Sequence, residues 1–180
     1  SEAENMQQLI EKLLFLARAD QKRQAVNKEP VDFAALLADT MEKMQTVTTS
    51  HEVTLGTNDP ALVNGDPVLL RQLLRVFLEN SLKYTPEGGH IRVSSVGTAD
   101  GSRVMVTIAD DGIGIAPEHQ PRIFDRFYRV DSSRTKETGG SGLGLSIARW
   151  IAERHDIRIS LRSAVNEGTS ITLAIPTIHE

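Results

Sequence analysis

The sequence predicts an α+β fold: a two-layer sandwich in which helices cover one face of a mixed β-sheet, preceded by an amphipathic helix. Three observations predict it. Apolar residues recur at helical spacing in several long segments, and alternating apolar residues mark two hairpins in the second half of the chain. The strands also cluster together instead of alternating regularly with helices, which argues against a doubly wound parallel sheet.

The first helix is predicted by an apolar stripe that ends near residue 20. Its members are Met6, Leu9, Ile10, Leu13, Leu14, Leu16 and Ala17. A helix with such a stripe needs a partner, which is either the chain's own domain or another helix of a bundle. The following residues, 21–30, are polar and end in Pro30, as is typical of a linker.

Two further helices are predicted from their start signals. Asp32 is a good N-cap for a helix over about 33–48. Asp66 and Pro67 supply the cap and the first-turn proline of a longer helix that contains Asn80. A last helix follows the glycine-rich segment 139–146, because residues 147–152 have apolar residues at helical spacing.

The strands are predicted from short apolar or alternating segments bounded by turn residues. They cover residues 53–55, 62–63, 91–93, 103–108, 157–161 and 171–175. The Asp100-Gly101 turn joins one hairpin, and the turn at residues 166–168 joins the last two strands.

Composition limits the classes of function. The 180 residues include 39% hydrophobic side chains, ordinary for one globular domain with an appended element. With 20 Lys and Arg against 24 Asp and Glu the net charge is −4, which gives no support to nucleic-acid binding. Residues 122–136 are locally basic, with five basic and two acidic side chains. That segment suits a polyanionic small molecule.

The chain has no cysteine, which is compatible with a reducing compartment. No apolar segment approaches the roughly 20 residues needed to span a bilayer, and no leader-like segment opens the chain. It begins with Ser1 instead of Met and opens in mid-pattern on a helix. We therefore expect a piece of a longer protein.

Residues 139–146, Gly-Gly-Ser-Gly-Leu-Gly-Leu-Ser, feed directly into the start of the last helix. Glycines at 140, 142 and 144 let backbone N–H groups converge, and the helix dipole adds a positive field, so the segment suits a phosphate. A plain cap or a close-packing site would look the same.

A second motif ends the strand over 103–108. Asp110 follows the strand and precedes two spaced glycines, Gly112 and Gly114. A carboxylate there can accept a hydrogen bond from an exocyclic amine such as that of adenine. Simple turn formation is the alternative explanation.

A third group lies on one face of the helix that begins at Pro67. Glu79, Asn80, Lys83 and Tyr84 are three or four residues apart, beside the apolar stripe. Asn80 offers an oxygen to Mg²⁺, Lys83 a charge to phosphate and Tyr84 a ring for stacking. The alternative, a solvated helix face, explains Glu and Lys but explains Asn poorly.

Four segments together resemble the catalytic, ATP-binding domain of a two-component sensor histidine kinase, in the superfamily shared with gyrase B, Hsp90 and MutL. They stand in the family's order and cover roughly residues 30–176. The N box, first glycine box, F box and second glycine box correspond to residues 78–85, 110–114, 123–129 and 140–145.

The resemblance implies ATP and Mg²⁺ as cofactors, with Asn80 as the metal ligand and Lys83, Arg129 and Glu79 as catalytic residues. It implies that Asp110 reads adenine with support from Thr169, and that Phe124, Phe127 and Tyr128 seat a lid over about 129–141. The implied ATP-binding residues are Asn80, Lys83, Tyr84, Asp110, Gly112, Gly114, Ile115, Phe127, Tyr128, Arg129, Arg134, Gly140, Gly142, Leu143, Gly144, Leu145 and Thr169.

The chain departs from the family at two places. Val76 stands where the N box often has a second Asn, and His155-Asp156-Ile157 stands where the family has His followed by glycines. The first departure puts a second polar contact to metal or phosphate in doubt, and the second puts a tight glycine turn in doubt.

The resemblance also implies a domain organisation. Residues 1–20 would be the end of the second helix of a dimerisation and phosphoacceptor hairpin, 21–30 a linker and 31–178 the ATP-binding domain. His51 precedes an acid, as a phosphoacceptor does, but it enters a strand, so we expect the phosphoacceptor histidine to be absent.

The implied function is transfer of the γ-phosphoryl group of ATP to that histidine, for relay to a response regulator. The parent would be a homodimeric inner-membrane sensor with this domain in the cytoplasm. Two alternatives are an ATP-hydrolysing clamp of the gyrase or Hsp90 kind and a nucleotide-binding interaction module.

Overall fold

The computed structural model describes residues 1–130 and 140–179. A single turn of 3₁₀ helix, Gln120–Arg122, precedes the gap. The four helices and seven strands of the described residues are α1 (Glu2–Asp20), β1 (Glu29–Asp32), α2 (Phe33–Val47), β2 (Glu52–Asn58), β3 (Leu62–Gly65), α3 (Pro67–Tyr84), β4 (His90–Gly97), β5 (Arg103–Asp110), α4 (Gly144–Arg154), β6 (Arg158–Ala164) and β7 (Gly168–Pro176).

The main sheet has five strands in the order β2-β4-β5-β7-β6. Only β2 and β4 are parallel, and the other three pairs are antiparallel, so the predicted mixed sheet is confirmed. The last two strands pair as expected, with Leu161 opposite Ile171. A separate two-stranded sheet is formed by β1 and β3.

Helices α2, α3 and α4 pack on one face of the sheet, as predicted. The core between the two layers contains fully buried aliphatic residues from both, among them Leu37, Leu70, Ile108, Ile147 and Leu173. Burying such side chains is the main stabilising term of a fold of this size.

Both predicted helix caps are present. The Asp32 side chain accepts a hydrogen bond from the Ala35 amide at 3.1 Å. The Asp66 carboxylate accepts from the amides of Val68 and Leu69 at 3.0 and 3.2 Å, with Pro67 in the first turn of α3. These bonds satisfy amides that have no partner within their helices.

The structure contains one strand that the sequence did not predict, β1, and the ends of several other strands differ from the predicted ones. The segment between α1 and the domain ends at residue 28, because Glu29 and Pro30 already belong to β1, which pairs with β3. A proline is tolerated there because β1 is an edge strand. Strand β2 runs on to Asn58, beyond the predicted residues 53–55, because its pairing with β4 resumes after an irregularity.

Helix α1 is divided along its length. Its end is docked on the domain: Phe15, Leu16 and Ala19 are buried, and the Phe15 ring meets the Trp150 ring edge-on at a centroid distance of 5.4 Å. Its beginning is exposed, with Met6 63% accessible to solvent. The predicted stripe is therefore covered only in part, and Phe15, which lies outside that stripe, makes the aromatic contact with α4.

The turn after α4 forms without the glycines that the family uses. His155 is buried, its Nδ1 lies 2.8 Å from the Ile151 carbonyl oxygen, and its Nε2 accepts from the Asp66 amide at 3.1 Å. Burial lowers the pKa of His155, consistent with a neutral ring that accepts at Nε2. Asp156 takes the left-handed conformation at φ 55°, so a non-glycine residue makes the turn.

Among the residues described, no helix combines the length and the apolar character that crossing a membrane requires.

Candidate functional site

A cavity of about 370 Å³ lies beside α3, β5 and the start of α4, within the usual size range of ligand sites. Most of the predicted site residues line it. They are Glu79, Asn80, Lys83, Tyr84, Asp110, Gly114, Ile115, Tyr128, Arg129, Gly140, Gly142, Gly144, Leu145 and Thr169. The sequence therefore predicted a set of residues that the fold brings together.

Four predicted residues stand apart. Gly112, Phe127 and Leu143 are not among the cavity-lining residues. Arg134 lies outside the described residues, as does most of the predicted lid over 129–141.

Asp110 is held by the backbone around it. Its Oδ1 accepts hydrogen bonds from the amides of Gly112 at 3.0 Å and Thr169 at 3.1 Å. Thr169 is opposite Asp110 in the β5–β7 ladder, so the sheet register fixes this contact. Burial raises the pKa of the Asp110 carboxyl, while the two amides oppose that rise. Gly112 thus orients Asp110 instead of lining the cavity.

The glycine turn after β5 joins three parts of the fold. The Ile113 amide donates to the Tyr84 carbonyl at the end of α3, and the Ile113 carbonyl accepts from Asn166 in the β6–β7 turn at 2.7 Å. Gly114 has φ +72°, and a Cβ there would lie 1.9 Å from the Ala164 carbonyl oxygen. Only glycine fits this position, which brings the turn against the β6–β7 hairpin.

The polar face of α3 supplies a mixed set of charges. Loss of solvation in the cavity and the nearby Lys12 ammonium lower the pKa of Lys83, while Glu79 acts in the opposite direction. Burial raises the pKa of Tyr84. Ser81, one turn after Phe77, is buried and lies close enough to Asp110 to favour its carboxylate form.

The other end of the cavity is formed by the start of α4. Leu143 is fully buried and is the N-cap residue, while Gly142, Gly144 and Leu145 line the cavity. The side chain of Leu143 therefore packs in the core. A Cβ at Gly140 would lie 3.9 Å from both Lys83 Nζ and Arg129 Nη2, so two cations flank this glycine-rich turn.

Phe127 contributes its backbone, while its side chain is 60% exposed. Its amide donates to the Gly142 carbonyl at 2.9 Å, and its φ is 64°. A Cβ on Gly142 would lie 2.8 Å from the Phe127 Cα, so the F box and the second glycine box meet backbone to backbone. Phe127 thereby joins the F box to the second glycine box through its backbone and does not line the cavity.

Tyr128 does line the cavity. Its hydroxyl group hydrogen-bonds to His119 Nδ1, and the Arg122 guanidinium lies over its ring, 4.7 Å from the centroid. His51, considered as a phosphoacceptor from sequence, is elsewhere: its ring nitrogens contact Ser50 Oγ at 2.7 Å and the Thr85 carbonyl at 2.6 Å, just before β2.

Comparison with known proteins agrees with this arrangement. Residues 65–179 match the family described as "Histidine kinase-, DNA gyrase B-, and HSP90-like ATPase". The chain belongs to this family. The resemblance to the ATP-binding domain of sensor histidine kinases is thereby confirmed, as is the α+β fold.

Individual relatives show which members of the family this chain is similar to. The sensor histidine kinase YkoH of Bacillus subtilis strain 168 is 38% identical over 174 residues, which cover 96% of this chain and 37% of YkoH. The chain thus spans well under half of that relative's length. The solved structure of mycobacterial sensor histidine kinase MprB has a TM-score of 0.73 at 26% identity, covering 86% of this chain and 100% of that one. Full-length ShkA in complex with AMPPNP gives 0.82 at 27% identity, covering 99% and 37%.

Some of the residues that line the cavity were not predicted from the sequence. The residues concerned are Lys12, Val76, Phe77, Ser81, Ile113, Ala116, His119, Ile123, Val130, Ser141, Val165, Asn166 and Ile171. Several lie inside the four motifs and could have been included from their position alone. Lys12, Val165 and Asn166 are distant in sequence from those motifs, and only the packing of α1 and of the β6–β7 hairpin brings them in.

The residues present fit ATP. Asp110 lines the cavity beside the β5–β7 ladder, Lys83 and Arg129 line it beside the glycine-rich turn, and much of the remaining wall is apolar. The buried Ser141 Oγ also has no hydrogen-bond partner among the residues that the structure describes, so it can bond to a ligand.

Proposed function

We propose that this chain is the nucleotide-binding, catalytic part of a sensor histidine kinase. Its reaction is transfer of the γ-phosphoryl group of ATP to a histidine of a dimerisation domain. The observation that carries the proposal is the polarity of one cavity, with Asp110 at one end and Lys83, Arg129 and the start of α4 at the other. A nucleotide has the matching polarity, with a neutral base and an anionic triphosphate.

At the first end, Asp110 recognises adenine. One of its oxygens already accepts from two amides, which fixes the carboxyl group in orientation. A carboxylate has further acceptor capacity, so beside the Ser81 hydroxyl it can also accept from the exocyclic amine of the base. Guanine presents a carbonyl oxygen in place of that amine, so a carboxylate at this position discriminates against it. Thr169 supports the site through its amide, and Tyr84 and Ile115 supply apolar wall.

At the second end, Lys83, Arg129 and the amides of Gly142 and Gly144 bind and orient the phosphates. Asn80 is the protein ligand for Mg²⁺, since this ion keeps most of its positions for phosphate oxygens and water. When bound, Mg²⁺ supplies charge neutralisation for the transferred group. Arg134 is proposed as a further phosphate contact by family resemblance alone.

Positioning and charge stabilisation account for most of the catalysis, because phosphoryl transfer passes through a loose transition state. Lys83 and Arg129 therefore serve as the principal catalytic residues. Glu79 lies beside Lys83 and favours its protonated form. We assign Glu79 a supporting role in holding that charge, with the proton acceptor for the phosphoacceptor histidine located outside this chain.

The partners follow from the same proposal. Residues 1–20 belong to the second helix of the dimerisation hairpin, 21–30 to the linker and 31–178 to the ATP-binding domain, although β1 begins at Glu29. The parent protein is a homodimer that passes the phosphoryl group to a response regulator. It is an inner-membrane sensor with this domain in the cytoplasm. An ATP-hydrolysing clamp is not favoured, since the relatives named above are sensor histidine kinases.

Labelled ATP tests the kinase assignment. The chain should not label itself, because its phosphoacceptor is absent, but it should label a separately supplied dimerisation hairpin from its own parent. Arg129→Ala should reduce the rate of that transfer by about 100-fold if charge stabilisation dominates. ATP binding without any transfer would indicate a non-catalytic module, and acid-labile label removed by His51→Ala would overturn the rejection of His51.

A further inference from the structure

Lys12 is the residue of α1 that reaches the cavity. It precedes Phe15, Leu16 and Ala19 by three, four and seven residues, so it lies on the same face of the helix as these buried residues. A lysine on a docking face usually extends to solvent. Lys12 is instead partly buried and directed toward the wall formed by α3.

Two contacts hold α1 in the position that brings Lys12 there. The edge-on contact of Phe15 with Trp150 fixes the helix against α4. At the helix end, Asp20 makes a two-pronged ion pair with Arg126 at 2.6 and 2.8 Å. Arg126 belongs to the F box, so α1 is tied to both segments that flank the phosphate end of the cavity.

The side-chain charges at the phosphate end of the cavity favour binding of an anion. Lys12, Lys83 and Arg129 all line the cavity, and Glu79 is the acidic side chain that favours the protonated form of Lys83. Three cations and one carboxylate leave a positive excess, and the mutual repulsion of the two lysines opposes the docking of α1. A triphosphate would remove that repulsion and replace it with attraction.

We propose that Lys12 is a further phosphate-positioning residue, which joins Lys83 at the phosphate end of the nucleotide site only while α1 is docked on α4. The inference rests on the proposed binding of ATP. Because coupling between two equilibria is reciprocal, a bound nucleotide should strengthen the docking of α1 by the same factor by which docking strengthens binding of that nucleotide. This factor should increase with the number of phosphate groups. The nucleotide thus controls the position of the helix that leads toward the dimerisation domain.

Calorimetry with three ligands tests the contact. Lys12→Gln should weaken binding of a non-hydrolysable Mg·ATP analogue by about fivefold to tenfold, weaken Mg·ADP less, and leave adenosine unchanged. Arg18→Gln is the matched control, since it removes one charge from the exposed side of the same helix. Lys12→Arg should restore most of the affinity. A merely structural role for Lys12 would affect all three ligands equally.

A double-mutant cycle tests the dependence on docking. Phe15→Ala should release α1 and weaken the Mg·ATP analogue about as much as Lys12→Gln does, and the double variant should lose little more. Trp150, the only tryptophan, reports docking through its fluorescence. Adding the ATP analogue should shift that signal toward the docked state in the parent chain and in Arg18→Gln, but not in Lys12→Gln.

The outcomes separate this inference from the proposed function. Failure of the parent chain to bind any adenine nucleotide would refute the nucleotide site itself. Normal ATP binding with Lys12→Gln equal to Arg18→Gln would refute the role of Lys12 alone. Additive losses in the double-mutant cycle would show that Lys12 acts independently of docking, and would overturn the coupling.

Discussion

The two ends of the cavity are built in different ways. Asp110 is fixed before any ligand arrives, by two backbone amides and by the register of β5 against β7. The cationic end is formed by side chains on three separate segments, namely Lys12 of α1, Lys83 of α3 and Arg129 of the F box. One end is held by hydrogen bonds from backbone amides, while the other brings like charges together.

The difference suggests separate roles for the two ends, with one suited to the base and the other to the phosphates. Under the proposed function, the preorganised carboxyl group would recognise the base at little entropic cost, because its orientation is already set. The cationic end is electrostatically unfavourable without a ligand and gains most from a polyanion. Specificity for the base should therefore depend on the backbone that holds Asp110, and discrimination among nucleotides by phosphate number should depend on the cationic side chains.

The largest effect is expected from Asp110→Asn. The amide can keep its oxygen on the two backbone amides, but it then directs an NH₂ group at the amine of adenine, donor against donor. Affinity should fall about 100-fold, or ~2.7 kcal/mol, equally for adenosine, ADP and ATP. Calorimetry with the three ligands measures this, and a loss confined to ATP would contradict the assignment of Asp110 to the base.

Lys83→Gln should give the opposite pattern. Removing this cation should cost ATP affinity about tenfold, cost ADP less and leave adenosine unchanged. Lys43→Gln, on the exposed side of α2, is the charge-matched control and should leave all three affinities unchanged. An equal loss for adenosine would mean that the two ends of the cavity are not independent.

Asn80→Ala tests the metal. Mg²⁺ should strengthen ATP binding in the parent chain, and most of that gain, about tenfold, should disappear in the variant because its single protein ligand is gone. Titrations of ATP with and without Mg²⁺ give the ratio directly. An unchanged ratio would assign the metal to other groups, while adenosine binding should be the same in both chains.

The smallest effect is expected from pH, measured with adenosine so that phosphate ionisation does not contribute. The carboxylate form of Asp110 is the acceptor, and its pKa is raised from the usual 3.8 by burial, so the acceptor is lost at a higher pH than for an ordinary aspartate. Adenosine affinity should therefore be complete at neutral pH and fall as the pH drops toward that raised pKa. An adenosine affinity that stays constant over this pH range would contradict the assignment of Asp110 to the base.

Much of the site could be predicted from the sequence, because each motif is a local arrangement that the chain itself dictates. Helical spacing puts Glu79, Asn80 and Lys83 on one face, and a glycine-rich turn before a helix gathers amides whatever surrounds it. The caps at Asp32 and Asp66 are local in the same sense. For the same reason the α+β class and the mixed sheet followed from periodicity and turn residues.

Other features depended on long-range packing. Whether Phe127 presents its ring or its backbone was decided by the close approach of Gly142, and Leu143 was drawn into the core by the helix it caps. How much of the first apolar stripe is buried depended on which face of α1 packs against Trp150.

The sequence alone determined which chemical groups are present and which short segments hold them, since hydrogen bonding and periodicity over a few residues require no knowledge of the rest of the chain. Only the tertiary structure decided that Thr169 orients Asp110, although the two are 59 residues apart in sequence. It alone also decided that Lys12 reaches the cavity that Lys83 lines, 71 residues further along the chain. Those contacts arise because sheet register and helix docking bring distant residues together, and neither leaves a local pattern in the sequence.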